Sequence, residues 1–188
     1  MSQDRCCSHA ELFVAENVVQ VIHAYAHAAA SASVTRRLSL LMDIRRYDDP
    51  RVFAFLLRVL TDRREPVQVR SYTLRCIRTT GLSAANFETA AAAVVEVLAA
   101  ESSLNLRVQA ALALGWFVDA SGVLAELGRT IADSNAPLDL RYAAFTSLER
   151  VGPTAESISL LRKLQADELL GPTAHSTLLN WRVPPEAD

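Results

Sequence analysis

Arg37, Arg70, Arg107 and Arg141 follow one another at intervals of 33, 37 and 34 residues, and a further 34 reaches His175. Each arginine lies near the start of an apolar helical pattern, and each pattern is preceded by a second one. Counted from the arginine as zero, offset −3 holds Val34, Val67, Leu104, Leu138 and Pro172. Offset +3 holds Leu40, Thr73, Ala110, Ala144 and Leu178, and +4 holds Leu41, Leu74, Ala111, Phe145 and Leu179. Offset +7 holds Ile44, Ile77, Leu114 and Leu148, with Arg182 in the fifth copy. These offsets share one face of a 3.6-residue helix. The preceding helices carry stripes of their own, such as Val52, Leu56, Val59 and Leu60. Neither helix of a pair can bury its stripe alone, whereas stacked pairs share one continuous core.

The expected fold is therefore all-α, with about five helix pairs in one domain spanning 1–188. The units fall at approximately 9–47, 48–81, 82–118, 119–152 and 153–183, with 184–188 a frayed tail. Second helices are predicted to begin near 34, 66, 104, 137 and 172. Punctuation agrees. Ser8 and Glu11 have capping-box spacing, Asp49-Pro50 fits an N-cap and first helical residue, and Pro66, Pro137 and Pro172 can open second helices. Gly81 and Gly152 fit C-terminal caps. No alternating β pattern of useful length is present.

Arg107 to Asp119 runs Arg-Val-Gln-Ala-Ala-Leu-Ala-Leu-Gly-Trp-Phe-Val-Asp, and Arg141 to Pro153 runs Arg-Tyr-Ala-Ala-Phe-Thr-Ser-Leu-Glu-Arg-Val-Gly-Pro. Both segments resemble the second helix of HEAT-like repeats of the PBS-lyase-like kind. The resemblance is clear over 100–165 and degenerate but in phase over 34–99. It implies a right-handed α-α superhelix. It also implies that the ladder Arg37, Arg70, Arg107 and Arg141 is structural, bonded to inter-helix turn groups of neighbouring units. Acids precede the ladder positions at −8 (Asp62, Asp133, Asp167) or −6 (Glu101). Members of that family are mostly scaffolds and adaptors, and fold alone does not carry function.

Charge is uneven. The chain as a whole carries −2, but residues 36–78 hold eleven arginines against five acids, and residues 79–188 hold seven basic residues against thirteen acids. A basic half and an acidic half can steer a partner. Arginine clusters grip phosphate or carboxylate. A pI near 6.1 and few aromatics disfavour a dedicated nucleic-acid binder. Solvent-facing offsets on the second helices single out Arg45, Arg46, Arg75, Arg78, Trp116, Glu149 and Arg150 as partner-binding residues.

Catalytic motifs are absent: no glycine-rich phosphate loop, no Gly-x-Ser-x-Gly and no Cys-x-x-Cys. His23 and His27 have i, i+4 spacing on a polar face and are expected to be solvated, while Cys6, Cys7 and His9 lack a metal spacing. With no His-Glu pair, the metal-dependent hydroxylase branch of the HEAT-like proteins is disfavoured. Three cysteines, two of them adjacent, do not make a disulfide framework. No signal peptide or membrane span is evident, and a cytoplasmic location is expected.

The expected function is a non-catalytic scaffold or adaptor that docks a protein or peptide on its concave face, with no cofactor and no metal. The alternative is a nucleic-acid-binding or DNA-repair protein of the HEAT-like glycosylase kind, using the arginine-rich half. Self-association of the basic half of one copy with the acidic half of another is a third option.

Overall fold

In the computed structural model, residues 4–31, 33–79 and 83–185 are described, with side chains from residue 17 onward except at Thr79. The described residues form ten α-helices and no strands. In chain order these are α1 (Asp4–Ala30), α2 (Val34–Ile44), α3 (Pro50–Thr61), α4 (Val67–Thr79), α5 (Ala84–Ala100), α6 (Leu104–Leu114), α7 (Val123–Ala132), α8 (Leu138–Glu149), α9 (Ala155–Leu164) and α10 (Gly171–Asn180). The second helices thus start at 34, 67, 104, 138 and 171, within one residue of the sequence reading. The first helix starts earlier than its Ser8 signal, at Asp4. The side chains of Ser8 and Glu11, like Cys6, Cys7 and His9, lie outside the described residues, as do Gly81 and the end of the tail.

Contacts divide the chain into two compact units, Met1–Asn86 and Phe87–Asp188. In the first, α1 packs on α2, α3 on α4, and α2 on α4. Five residues join α3 to α4. The connection turns tightly, with Glu65 N–H on Asp62 O, and Arg70 at the start of α4 bonds Leu60 O at the end of α3, so α4 packs back along α3. The core here is Leu41, Ile44, Leu56, Leu60, Val69 and Ile77, all essentially inaccessible. Tyr25 meets Phe55 edge to face at 5.0 Å. In the second unit α6 packs on α8, α7 on α8, and α9 on α10, around Leu106, Leu114, Leu127, Ile131, Phe145 and Leu148.

Local chemistry sets the helix starts. Ser33, Asp49 and Ser103 each accept a backbone N–H of the first turn, from Arg36, Arg51 and Leu106. Thr154 and Ser157 form a reciprocal capping box on α9. Gly152, with φ of 74°, occupies the left-handed region just after α8.

Two sequence expectations need correction. Leu104 and Leu138, at offset −3, are 39% and 40% exposed. They are the first residues of their helices, and although they point the same way as +4, they lie beyond the neighbouring packing surface. The buried partner of the stripe is offset −1, held by Val69, Leu106, Leu140 and Ala174. Leu179, at +4 in the last copy, is 61% exposed, so the stripe is not buried at that position of α10.

Candidate functional site

The ladder arginines are buried or nearly so, and their bonds repeat. Arg70 Nε donates to Leu60 O at 2.8 Å, Arg107 Nε to Leu98 O at 2.9 Å and Arg141 Nε to Ile131 O at 2.8 Å. Each acceptor is in the last turn of the preceding helix, where carbonyls lack intrahelical donors. Arg37 Nε reaches Ser33 O, in the turn before its own helix, at 3.4 Å. The far ends of two of these side chains cross to the next pair. Arg37 Nη1 donates to Glu65 Oε2 at 2.6 Å, and both side chains are largely buried. Arg141 Nη2 pairs with Asp167. His175, in the fifth position, is exposed, and its Nδ1 lies 3.0 Å from Gln165 Nε2.

The acids at −8 have a further role. Asp62 and Asp133 close α3 and α7 through N–H bonds to Arg58 O and Arg129 O. Their carboxylates then accept the N–H two residues on, from Arg64 and Asn135, and Asp167 does the same for Leu169. Glu101 turns the chain in like manner by accepting from Ser102 and Ser103. Asp167 also accepts the Leu170 N–H at 2.9 Å. That bond, together with Arg141, holds its carboxyl below the usual range. An acid at −8 therefore shapes its own turn and, in Asp167, serves the arginine of the preceding unit rather than its own.

Arg45, Arg46, Arg75 and Arg78 are all exposed in the first unit. Arg45 is the C-cap of α2, Arg46 follows it, and Arg78 stands in the last turn of α4. A helix C-terminus favours cations, which is one reason arginine recurs there. Arg46 Nη1 is 4.0 Å from Asp43, and Arg75 lies over the Tyr72 ring at 5.0 Å. Burial pushes the Cys76 thiol pKa up to about 11, against the opposing pull of the Arg45 charge, a hydrogen bond with Tyr72 and the Arg75 charge.

Trp116, Glu149 and Arg150 belong to the second unit. Trp116 follows the end of α6 rather than lying on it, and is 51% exposed. The Arg150 guanidinium sits over its ring at 5.1 Å. A Cβ built on Gly115 would stand 2.8 Å from Arg150 Cδ and 2.9 Å from Ser147 Oγ, so a small residue there permits the close approach of α6 and α8. Ser147 Oγ donates to Ala111 O across the same contact at 2.7 Å. Glu149 accepts from Thr177 Oγ1 at 3.0 Å, so it is tied to α10.

His23 and His27 are exposed. Among the described residues no three His, Cys, Asp or Glu side chains gather as a metal-binding group, and no helix is long and apolar enough to cross a membrane.

Sequence reasoning did not single out Tyr25. The residue is 4% exposed, and its buried hydroxyl faces the Glu65 carboxylate without reaching full hydrogen-bond geometry. Burial first, then the Glu65 carboxylate, keep the phenol protonated well beyond its ordinary range. The only hint in the chain is that an aromatic with a polar tip occupies a helix stripe otherwise made of aliphatics.

The chain matches no family model and no curated protein sequence.

Proposed function

We propose that the chain is a non-catalytic binding module and that its arginine-rich unit docks an acidic protein segment. On this reading the helix pairs continue as a right-handed superhelix of the HEAT-like kind. The repeat interval, the recurring arginine-to-carbonyl bond and the recurring acid-directed turn support that arrangement.

One observation carries the functional reading: the arginines divide into two sets. Those of the ladder point inward and bond to turn groups, while Arg45, Arg46, Arg75 and Arg78 are displayed at the surface of α2 and α4 and the turn after α2. Planar guanidinium groups suit carboxylate recognition. Trp116, with Arg150 stacked on it, is the aromatic anchor of the second unit.

Surface plasmon resonance with an immobilised poly-glutamate peptide tests this. Arg46→Glu and Arg78→Glu should slow association, and the difference should shrink as salt rises. Trp116→Ala should speed dissociation of a partner that rests on the second unit. A wild-type chain that ignores the peptide at low salt would sink the reading. Tighter binding to single-stranded DNA of equal charge would move it to the nucleic-acid alternative.

A further inference from the structure

A cleft of about 170 Å³ in the first unit is lined by Tyr25, Ala26 and Ala29 of α1, Arg58 and Val59 of α3, and Asp62 and Glu65 of the turn that follows. Three features set it apart from an ordinary surface depression. Its buried member, the Tyr25 hydroxyl, faces the Glu65 carboxylate without reaching full hydrogen-bond geometry, and a phenol that donates to a carboxylate keeps its oxygen lone pairs free for a bound donor. Arg58 and Asp62 have the i, i+4 spacing at which opposite charges ordinarily pair on a helix. Instead Arg58 lies over the Phe55 ring at 5.5 Å, and Asp62 Oδ1 takes the Arg64 N–H at 2.9 Å. Finally, Glu65 is held from behind by Arg37 through one carboxylate oxygen, Oε2.

The cleft therefore offers a cation acceptor set (Tyr25 Oη, the Asp62 carboxylate and the second oxygen of Glu65) and, one helical turn from Asp62, a guanidinium. An ammonium has three donors and no acceptor, matching the first set, and a carboxylate matches the guanidinium. The two alanines and Val59 leave a small apolar wall. At about 30 Å³ of liquid volume per water, the space equals that of some five or six waters, the scale of a molecule with about as many non-hydrogen atoms. We propose that this cleft binds the zwitterion of a small α-amino acid, with its ammonium on Tyr25, Asp62 and Glu65 and its carboxylate on Arg58. The proposal is independent of the acidic-partner reading, which uses other residues.

The test is a chemical-shift titration of the full chain, carrying ring-labelled tyrosine, with glycine and L-alanine as probes. Methylammonium and acetate serve as the two half-ligands. Saturable movement of the Tyr25 signal by glycine or alanine is expected, with methylammonium weaker by about tenfold and acetate weaker still. Tyr25→Phe, followed through a ring-labelled phenylalanine, should weaken glycine by about tenfold while leaving the melting temperature unchanged or higher. Arg58→Gln should reduce glycine to the level of methylammonium. Ala29→Leu, which fills the cleft, should abolish binding in a folded chain. The proposal is overturned if neither amino acid saturates, if Tyr25→Phe binds as wild type does, or if methylammonium equals glycine in the wild type, since the guanidinium would then have no part.

Discussion

Arg141 shows how a ladder arginine can answer two needs at once. Carbonyls at the end of one helix lack donors, and an arginine with five N–H groups in a fixed fork can serve them and still reach further. Arg141 does both, bonding Ile131 O and Asp167. Asp167 in turn holds the Leu169 and Leu170 N–H groups. Its carboxyl is depressed below its ordinary value by the Leu170 N–H and then by Arg141. A depressed folded-state pKa stabilises the fold above the unfolded-state value, about 3.9, and that contribution is lost as pH falls through the folded-state value. Asp167→Asn should therefore lower the melting temperature at neutral pH. The gap between variant and wild type should begin to narrow as pH falls below about 4 and close only once pH has passed the depressed folded-state value, where the wild-type carboxyl protonates as well. A pH-independent gap in thermal melts would assign Asp167 a role other than its charge. That an arginine recurs every 33 to 37 residues was legible from the chain. That Arg37 takes Glu65 as its acid was not, because the pair is 28 positions apart and depends on how α2 packs on α4.

At the scale of the helix, periodicity located every second helix to within a residue because stripe, proline and cap residues agree there. It placed Leu104 and Leu138 in the core wrongly, since direction around a helix says nothing of whether a neighbour extends that far along it. It likewise put Trp116 and Arg46 on helix faces, when both follow the helix end. Helix ends depend on caps rather than on the period. The turn from α9 to α10 has the least tolerance. A Cβ on Gly171 would stand 2.7 Å from the backbone oxygen of Gln165, and a backbone atom cannot rotate away as a side chain can. Gly171→Ala should cost about 1–3 kcal/mol in chemical denaturation, as overpacking does. The clash beside Gly115 is with Arg150 and Ser147 side chains, so Gly115→Ala should cost less, and its readout is displacement of Arg150 from Trp116. Equal costs for the two glycines would show that backbone and side-chain clashes are relieved alike.

Taken whole, the chain joins a unit with twelve arginines against eight acids to one with seven basic residues against thirteen acids. The basic unit spends Arg37 and Arg70 on its interior and displays Arg45 and Arg46. Fold and binding thus make separate demands on the same residue type, and substitutions should separate them. Urea unfolding of four single variants is the most direct measurement: Arg70→Ala and Arg141→Ala against Arg45→Ala and Arg46→Ala. The inward pair should each lose about 1–3 kcal/mol, with turn carbonyls left unpaired, while the outward pair should stay within about 0.5 kcal/mol of wild type. Inward variants as stable as wild type, or outward variants as damaged as the inward ones, would contradict the division of the arginines on which the account rests.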